Sequence, residues 1–113
     1  MPFELPDLYI EFLFATNGGE GDLGVQPGWL ELWAAEDVSS HNRGYEVAES
    51  LPGLFGFGSN GAGELLAFDI RGVKPWPIVM VPFIPMQLDD AIQIAGSFEE
   101  FSAFIGVPFD AVD

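Results

Sequence analysis

Apolar residues recur along this chain with periods that change from segment to segment. Leu5, Leu8, Tyr9, Phe12 and Leu13 follow i, i+3, i+4, i+7, i+8 spacing, which predicts a helix over residues 5–16 with one buried face. Pro6 suits the first helical position, Asp7 complements the N-terminal dipole, and Asn17-Gly18-Gly19 ends the helix with residues that accept left-handed backbone. Ile10 and Phe14 fall off that stripe and call for a second cover. Residues 18–28 read as a Gly-rich acidic loop containing Glu20 and Asp22. From Trp29 to Trp33 the period switches to two, giving a strand with Leu30 and Leu32 on one face and Trp29, Glu31 and Trp33 on the other. Residues 34–50 carry helix formers interrupted by Gly44 and by Ser39-Ser40-His41-Asn42, which predicts a short or broken helix.

The centre of the pattern is residues 51–72. Two apolar runs, 54–57 and 65–70, flank a turn cluster with Asn60-Gly61, a strong short-range signal for a β-hairpin. Glycines at 56, 58, 61 and 63 suit a bulged or closely packed strand pair, and Phe57 and Phe68 are assigned to the core. Residues 78–83 are apolar on both faces, as an interior strand should be, with Pro82 marking its end. Residues 91–95 form another short strand with Ile92 and Ile94 inward. Ser97-Phe98-Glu99-Glu100 is a capping box that starts a closing helix to about Ile105, with Phe98, Phe101 and Ile105 as its stripe. Together these elements predict an α+β fold in one domain, residues 1–113.

Composition changes this picture mainly through charge. The 113 residues include 18 acids against 3 bases, a net charge of −15, which repels nucleic-acid phosphates and anionic membranes and attracts basic partners. Cysteine is absent, so disulfides and thiolate chemistry are excluded. No apolar run approaches the roughly 18 residues of a membrane span, and the N-terminus lacks a signal-peptide pattern, so a cytoplasmic protein is the expectation.

Candidate chemistry is thin. His41 is the single histidine, and its neighbours Ser39 and Ser40 do not make a triad, which is defined by geometry in space. Glu64 and Asp69 are five residues apart on one strand, hence on opposite faces and about 16 Å apart, too far for a glycosidase pair. Glu20 and Asp22 lack the ligand ladder of a calcium loop, His41 has no partner at zinc-site spacing, and the glycines of residues 56–63 lack a phosphate-loop ending. The expectation is a protein with no enzyme activity, cofactor or bound metal.

Seven stretches, in order, resemble the SUKH superfamily, which groups Syd-like proteins, fungal cell-wall-assembly regulators and many bacterial immunity proteins. They are Leu5-Pro6-Asp7 through Phe12-Leu13, then Asn17-Gly18-Gly19, Asn42-Arg43-Gly44-Tyr45-Glu46, Leu51-Pro52-Gly53-Leu54-Phe55, Phe57-Gly58-Ser59-Asn60-Gly61 with Gly63-Glu64, Ala67-Phe68-Asp69, and Ser97-Phe98-Glu99-Glu100-Phe101. The resemblance implies an α+β fold with a largely antiparallel sheet and helices packed against it, a binding protein without catalytic residues, and most often an immunity protein that neutralises a toxin. The partner is then a basic toxin domain, met by Trp29, Glu31 and Trp33 with the acidic residues Glu20 and Asp22. Core packing of both tryptophans is the competing reading. An adaptor in a larger complex, or a small carboxylate-dependent hydrolase, is the alternative function. Family members usually carry a further helix before the Leu-Pro-Asp helix. With only four residues before Leu5, Ile10 and Phe14 are expected to form an exposed patch supporting a weak homodimer, unless residues 107–112 cover it.

Overall fold

Each apolar strand segment pairs with its neighbour in sequence, so the chain builds its sheet as a continuous antiparallel meander. The computed structural model describes residues 4–109. Its strands are β1 (Gly19–Asp22), β2 (Trp29–Leu32), β3 (Leu54–Ser59), β4 (Glu64–Asp69), β5 (Ile78–Pro82) and β6 (Ile92–Ala95), in the spatial order β1-β2-β3-β4-β5-β6. Helices α1 (Asp7–Thr16) and α4 (Phe98–Ser102) cover one face; α2 (Ala35–Gly44) and α3 (Val47–Ser50) cover part of the other. The fold is α+β.

The two faces hold chemically different cores. Under α1 and α4, Tyr9, Phe57, Phe68, Phe98 and Phe101 are all buried, with ring centroids about 5 to 6 Å apart. On the opposite face Val47 and Leu51 of the α3 turn meet Leu54, Leu65, Ala67, Val79 and Val81, an aliphatic layer. Strands β4 and β5 serve both layers, which is why residues 65–68 and 78–81 are buried without interruption. Phe57 and Phe68 lie in the core as the sequence implies. Phe57 is the extra residue of a bulge, since Gly56 pairs with Ala67 and Gly58 with Leu66. Gly58 is required there by distance: a Cβ would stand 2.6 Å from the Glu31 carbonyl oxygen of β2.

Several expectations are corrected. Residues 19–22 form a strand rather than a loop; Gly-Glu-Gly-Asp carries no apolar alternation, and pairing with β2 alone defines it. Pro6 precedes the first helix as its cap residue instead of opening it. The closing helix stops at Ser102, because Ile105 is drawn into a bridge with Leu23. Ile92 is 48% exposed, whereas Ile94 and Ala95 are buried. The broken helix is confirmed: α2 and α3 are separated at Tyr45-Glu46, where Glu46 takes a φ of +55°. The Ser97 hydroxyl caps α4 by accepting the Glu100 N–H at 3.1 Å. Asn60-Gly61 does lie in the β3–β4 turn, with the Asn60 carbonyl oxygen of the side chain accepting the N–H groups of Ala62 and Glu64 at 3.0 Å.

One side chain fastens α2 to the sheet. After Leu32 the chain leaves β2 for α2, so the first half of β3 has no strand on that side. The Asn42 side-chain amide stands in for it: Oδ1 accepts the Gly56 N–H and Nδ2 donates to the Gly56 carbonyl, both at 2.8 Å. Nδ2 also donates to the Val38 carbonyl within the helix.

Two expected outcomes follow from this packing. Asn42→Ala strands two half-buried backbone groups and should cost about 1–3 kcal/mol in denaturant titration; a loss under about 0.5 kcal/mol would show that water replaces the amide. The Tyr9 hydroxyl is buried without a hydrogen-bond partner among the described residues, and burial pushes its pKa upward. Tyr9→Phe should therefore be neutral or stabilising by about 1 kcal/mol, whereas Phe68→Ala should cost about 3–5 kcal/mol. A clear destabilisation by Tyr9→Phe would mean that the hydroxyl has a partner.

Candidate functional site

The strand pair β1–β2 sets the geometry of the acidic, aromatic surface. Glu20 stands opposite Glu31 and Asp22 opposite Trp29, and residues directly opposite in an antiparallel pair share a face. Trp33, two residues past Glu31, continues the same face. The five residues singled out from the sequence, Glu20, Asp22, Trp29, Glu31 and Trp33, thus lie on one side of the sheet, opposite the side that Leu30 and Leu32 bury against the aromatic core. The Leu23 N–H donates to the Gly28 carbonyl, so by alternation Glu20 and Glu31 form a non-hydrogen-bonded pair, the type with the closest side chains.

The two tryptophans differ. Trp29 is 39% exposed, whereas Trp33 is half-buried against the aliphatic core. The Trp33 ring lies 4.7 Å from His41 and 6.1 Å from Tyr45, stacked on the latter at 21°, and Tyr45 in turn lies 4.7 Å from Phe83. Trp33 therefore supports the fold as well as the surface.

Helix α2 adds residues that the sequence reading passed over. Asp37, with Glu20, Glu31, Trp33 and Asn17, lines a hollow of about 330 Å³. Asn17, in left-handed backbone at the end of α1, positions the start of α2: its Oδ1 accepts the Ala35 N–H at 3.0 Å and its Nδ2 donates to Glu36 at 3.4 Å. The signal was present as a four-residue spacing, Asp37, His41, Tyr45, which places a charge and two rings on one stripe of α2 and its end, alongside Trp33.

No basic residue lines this hollow. Arg71 is engaged elsewhere, bonding both oxygens of Asp69 at 2.7 and 2.8 Å and holding that carboxyl below its ordinary range. Lys74 sits 5.0 Å over the Trp76 ring. The surface is suited to cationic and apolar contact. For catalysis it offers little: His41 faces Trp33, the Ser40 hydroxyl donates to the Asp37 carbonyl, and Glu64 is held by Asn60. Among the described residues no three His, Asp or Glu side chains converge to hold a metal. No described helix is long and apolar enough to cross a membrane.

The second surface expected from the sequence is smaller than supposed. Phe14 is 87% exposed, but Ile10 is half-buried against the aromatic core. Phe109 lies over Gly28, and residues 110–112 fall outside the described residues.

An antiparallel meander with helices on both faces makes this a small α+β domain. The chain belongs to the SMI1 / KNR4 family (SUKH-1), whose profile matches residues 1–103. No curated protein matches the chain.

The facing carboxylates yield a stability prediction. Like charges directly opposite on a strand pair are unfavourable, so Glu20→Lys should stabilise the isolated protein by about 0.5–1 kcal/mol at low salt, and by less at high salt. Equal stability of the variant and the parent at low salt would show that Glu20 and Glu31 do not sense each other.

Proposed function

We propose that this protein is a non-catalytic immunity protein that neutralises a basic toxin domain inside the cytoplasm of the cell that makes it. The outer face of β1–β2 docks over a basic, substrate-binding cleft and excludes the substrate. The observation that carries this reading is the gathering of Glu20, Asp22 and Glu31 with the exposed ring of Trp29 on one uncovered sheet face of a chain with net charge −15. Family membership supports a role in protein binding. Aromatic area set among acids gives a desolvated anchor surrounded by steering charge, the usual division of labour in a tight interface. An adaptor would use the same face on another basic partner; a toxin encoded beside this gene separates the two readings.

Association kinetics with that neighbouring toxin domain are the test. The association rate at low salt should exceed the neutral range of about 10⁵–10⁶ M⁻¹s⁻¹. It should fall steeply as the Debye length shrinks from about 10 Å at 0.1 M to about 3 Å at 1 M salt. Trp29→Ala should accelerate dissociation and leave the association rate nearly unchanged, because anchors act after encounter. An association rate indifferent to salt removes the electrostatic mechanism, and the absence of binding removes the immunity role.

A further inference from the structure

Strand β1 is an outer strand, and part of its outer edge is unfilled. Because the Leu23 N–H donates to the Gly28 carbonyl, Gly19 and Gly21 turn their backbone groups toward β2, while Glu20 and Asp22 turn theirs outward. That outward row is satisfied only at its far end. The Gly106 N–H donates to the Asp22 carbonyl at 2.8 Å and the Gly24 N–H donates to the Phe104 carbonyl at 2.9 Å, on either side of the Leu23–Ile105 bridge. At Gly106 the backbone takes a φ of +86°, and the chain departs so that Phe109 lies over Gly28. The segment leaves the line before it reaches Glu20, whose N–H and C=O have no partner among the described residues.

The surroundings of this edge differ on its two sides. Toward α1 lies a groove of about 210 Å³ lined by Phe12, Leu30, Leu32 and Ile105. Gly19 and Gly21 contribute no side chain to fill it, and a Cβ at either would meet nothing within 4 Å. On the other side stand the carboxylates of Glu20 and Asp22, beside Glu31. Proteins ordinarily blunt a free edge with lysine, proline, a bulge or a covering segment. Here the protection is only the shortness of the strand and the charge of Glu20; residues 19–21 carry no lysine, proline, bulge or covering segment.

The geometry points to strand addition at β1: an extended segment of a basic partner pairs antiparallel to residues 19–21, next to the end of the 104–106 segment, alternating apolar and Lys or Arg side chains. This rests on the proposed partner-binding role and specifies the shape of the bound segment. In such a ladder the residue opposite Glu20 exchanges both hydrogen bonds with it, and its side chain emerges on the acidic face. Its neighbours point the other way, over Gly19 and Gly21, into the groove. The added strand continues the antiparallel line that residues 104–106 begin. A second copy of this chain fits poorly, because it would set Glu20 and Asp22 against their own equivalents on molecules of net charge −15.

The test titrates the ¹⁵N-labelled full chain with a short synthetic peptide alternating lysine and valine. The amide of Glu20 should shift and exchange more slowly with solvent. The same peptide with alternate backbone amides methylated, or with glutamate in place of lysine, should bind about tenfold more weakly or worse. Glu20→Pro removes the outward N–H without touching the β2 ladder, and Glu20→Gln removes only the charge. The proline variant should lose about tenfold more affinity than the glutamine variant. Equal losses in the two variants, or equal binding of the methylated and unmethylated peptides by the unaltered protein, would overturn strand addition. Failure of the partner reading is distinguishable: there the neighbouring toxin domain does not bind the unaltered protein, whatever the peptide does.

Discussion

The amide of Asn42 is the constraint on which the rest of the molecule depends. It replaces a missing strand beside Gly56, with both hydrogen bonds at 2.8 Å, and so fixes α2 at one height and rotation over β3. That placement sets the helix stripe of Asp37, His41 and Tyr45 alongside Trp33 and brings Asp37 to the hollow shared with Glu20 and Glu31. Gly56 is equally constrained, because a Cβ there would stand 2.9 Å from Leu65 and 3.3 Å from the Asn42 oxygen that holds it. A half-buried amide with every bond made adds orientation as well as stability, since no other rotation of α2 satisfies the same groups.

The two cores divide the mechanical load unevenly. The aromatic layer under α1 and α4 joins Tyr9, Phe57, Phe68, Phe98 and Phe101 through edge-on and tilted ring contacts, and it clamps both helices onto the sheet. The aliphatic layer under α3 covers only β3 to β5. Each fully buried large side chain contributes about 1.5–3 kcal/mol, so stability is concentrated in β4 and β5, which supply both layers. β1 carries no apolar side chain and takes its order from pairing with β2 and from residues 104–106. At Glu20 its outer edge has backbone groups to spare for another chain.

Much of this was legible because it is local. The α1 stripe, the Ser97 cap, the Asn60-Gly61 turn, the broken helix at residues 45–46 and the doubly buried β5 all follow from spacing and turn chemistry within a dozen residues. β1 was not legible: its glycines and acids have no apolar period, and only the register with β2 makes them a strand. The end of α4 was misjudged for the same reason, since the bridge from Ile105 to Leu23 spans most of the chain. Asn42 stood inside a recognised stretch, yet nothing local says that its amide meets Gly56, fourteen residues on. The candidate surface was half visible. Period-two spacing put Trp29, Glu31 and Trp33 together, but Glu20 and Asp22 joined them through long-range pairing, and Asp37 through the Asn42 anchor.

The arrangement of charge on β1–β2 argues against a merely solubilising role. Solubility needs acids dispersed over the surface, where each is screened and solvated. Here Glu20 and Glu31 are set opposite each other in the closer type of strand pair, with Asp22 beside Trp29. Like charges directly opposite on a strand pair are in general an unfavourable arrangement. On the proposed reading, a cationic side chain from a partner would relieve that arrangement on binding and favour a basic surface over an acidic one. Nucleic acid and a second copy of the chain meet the same charges with the opposite sign of energy. The free edge at Glu20 adds direction to this selectivity, because a strand that pairs there must present its basic side chains to one face and its apolar ones to the groove. On that reading charge, ring and edge would select the sign of the partner, its apolar anchor and its backbone shape, and all three lie within residues 19–33.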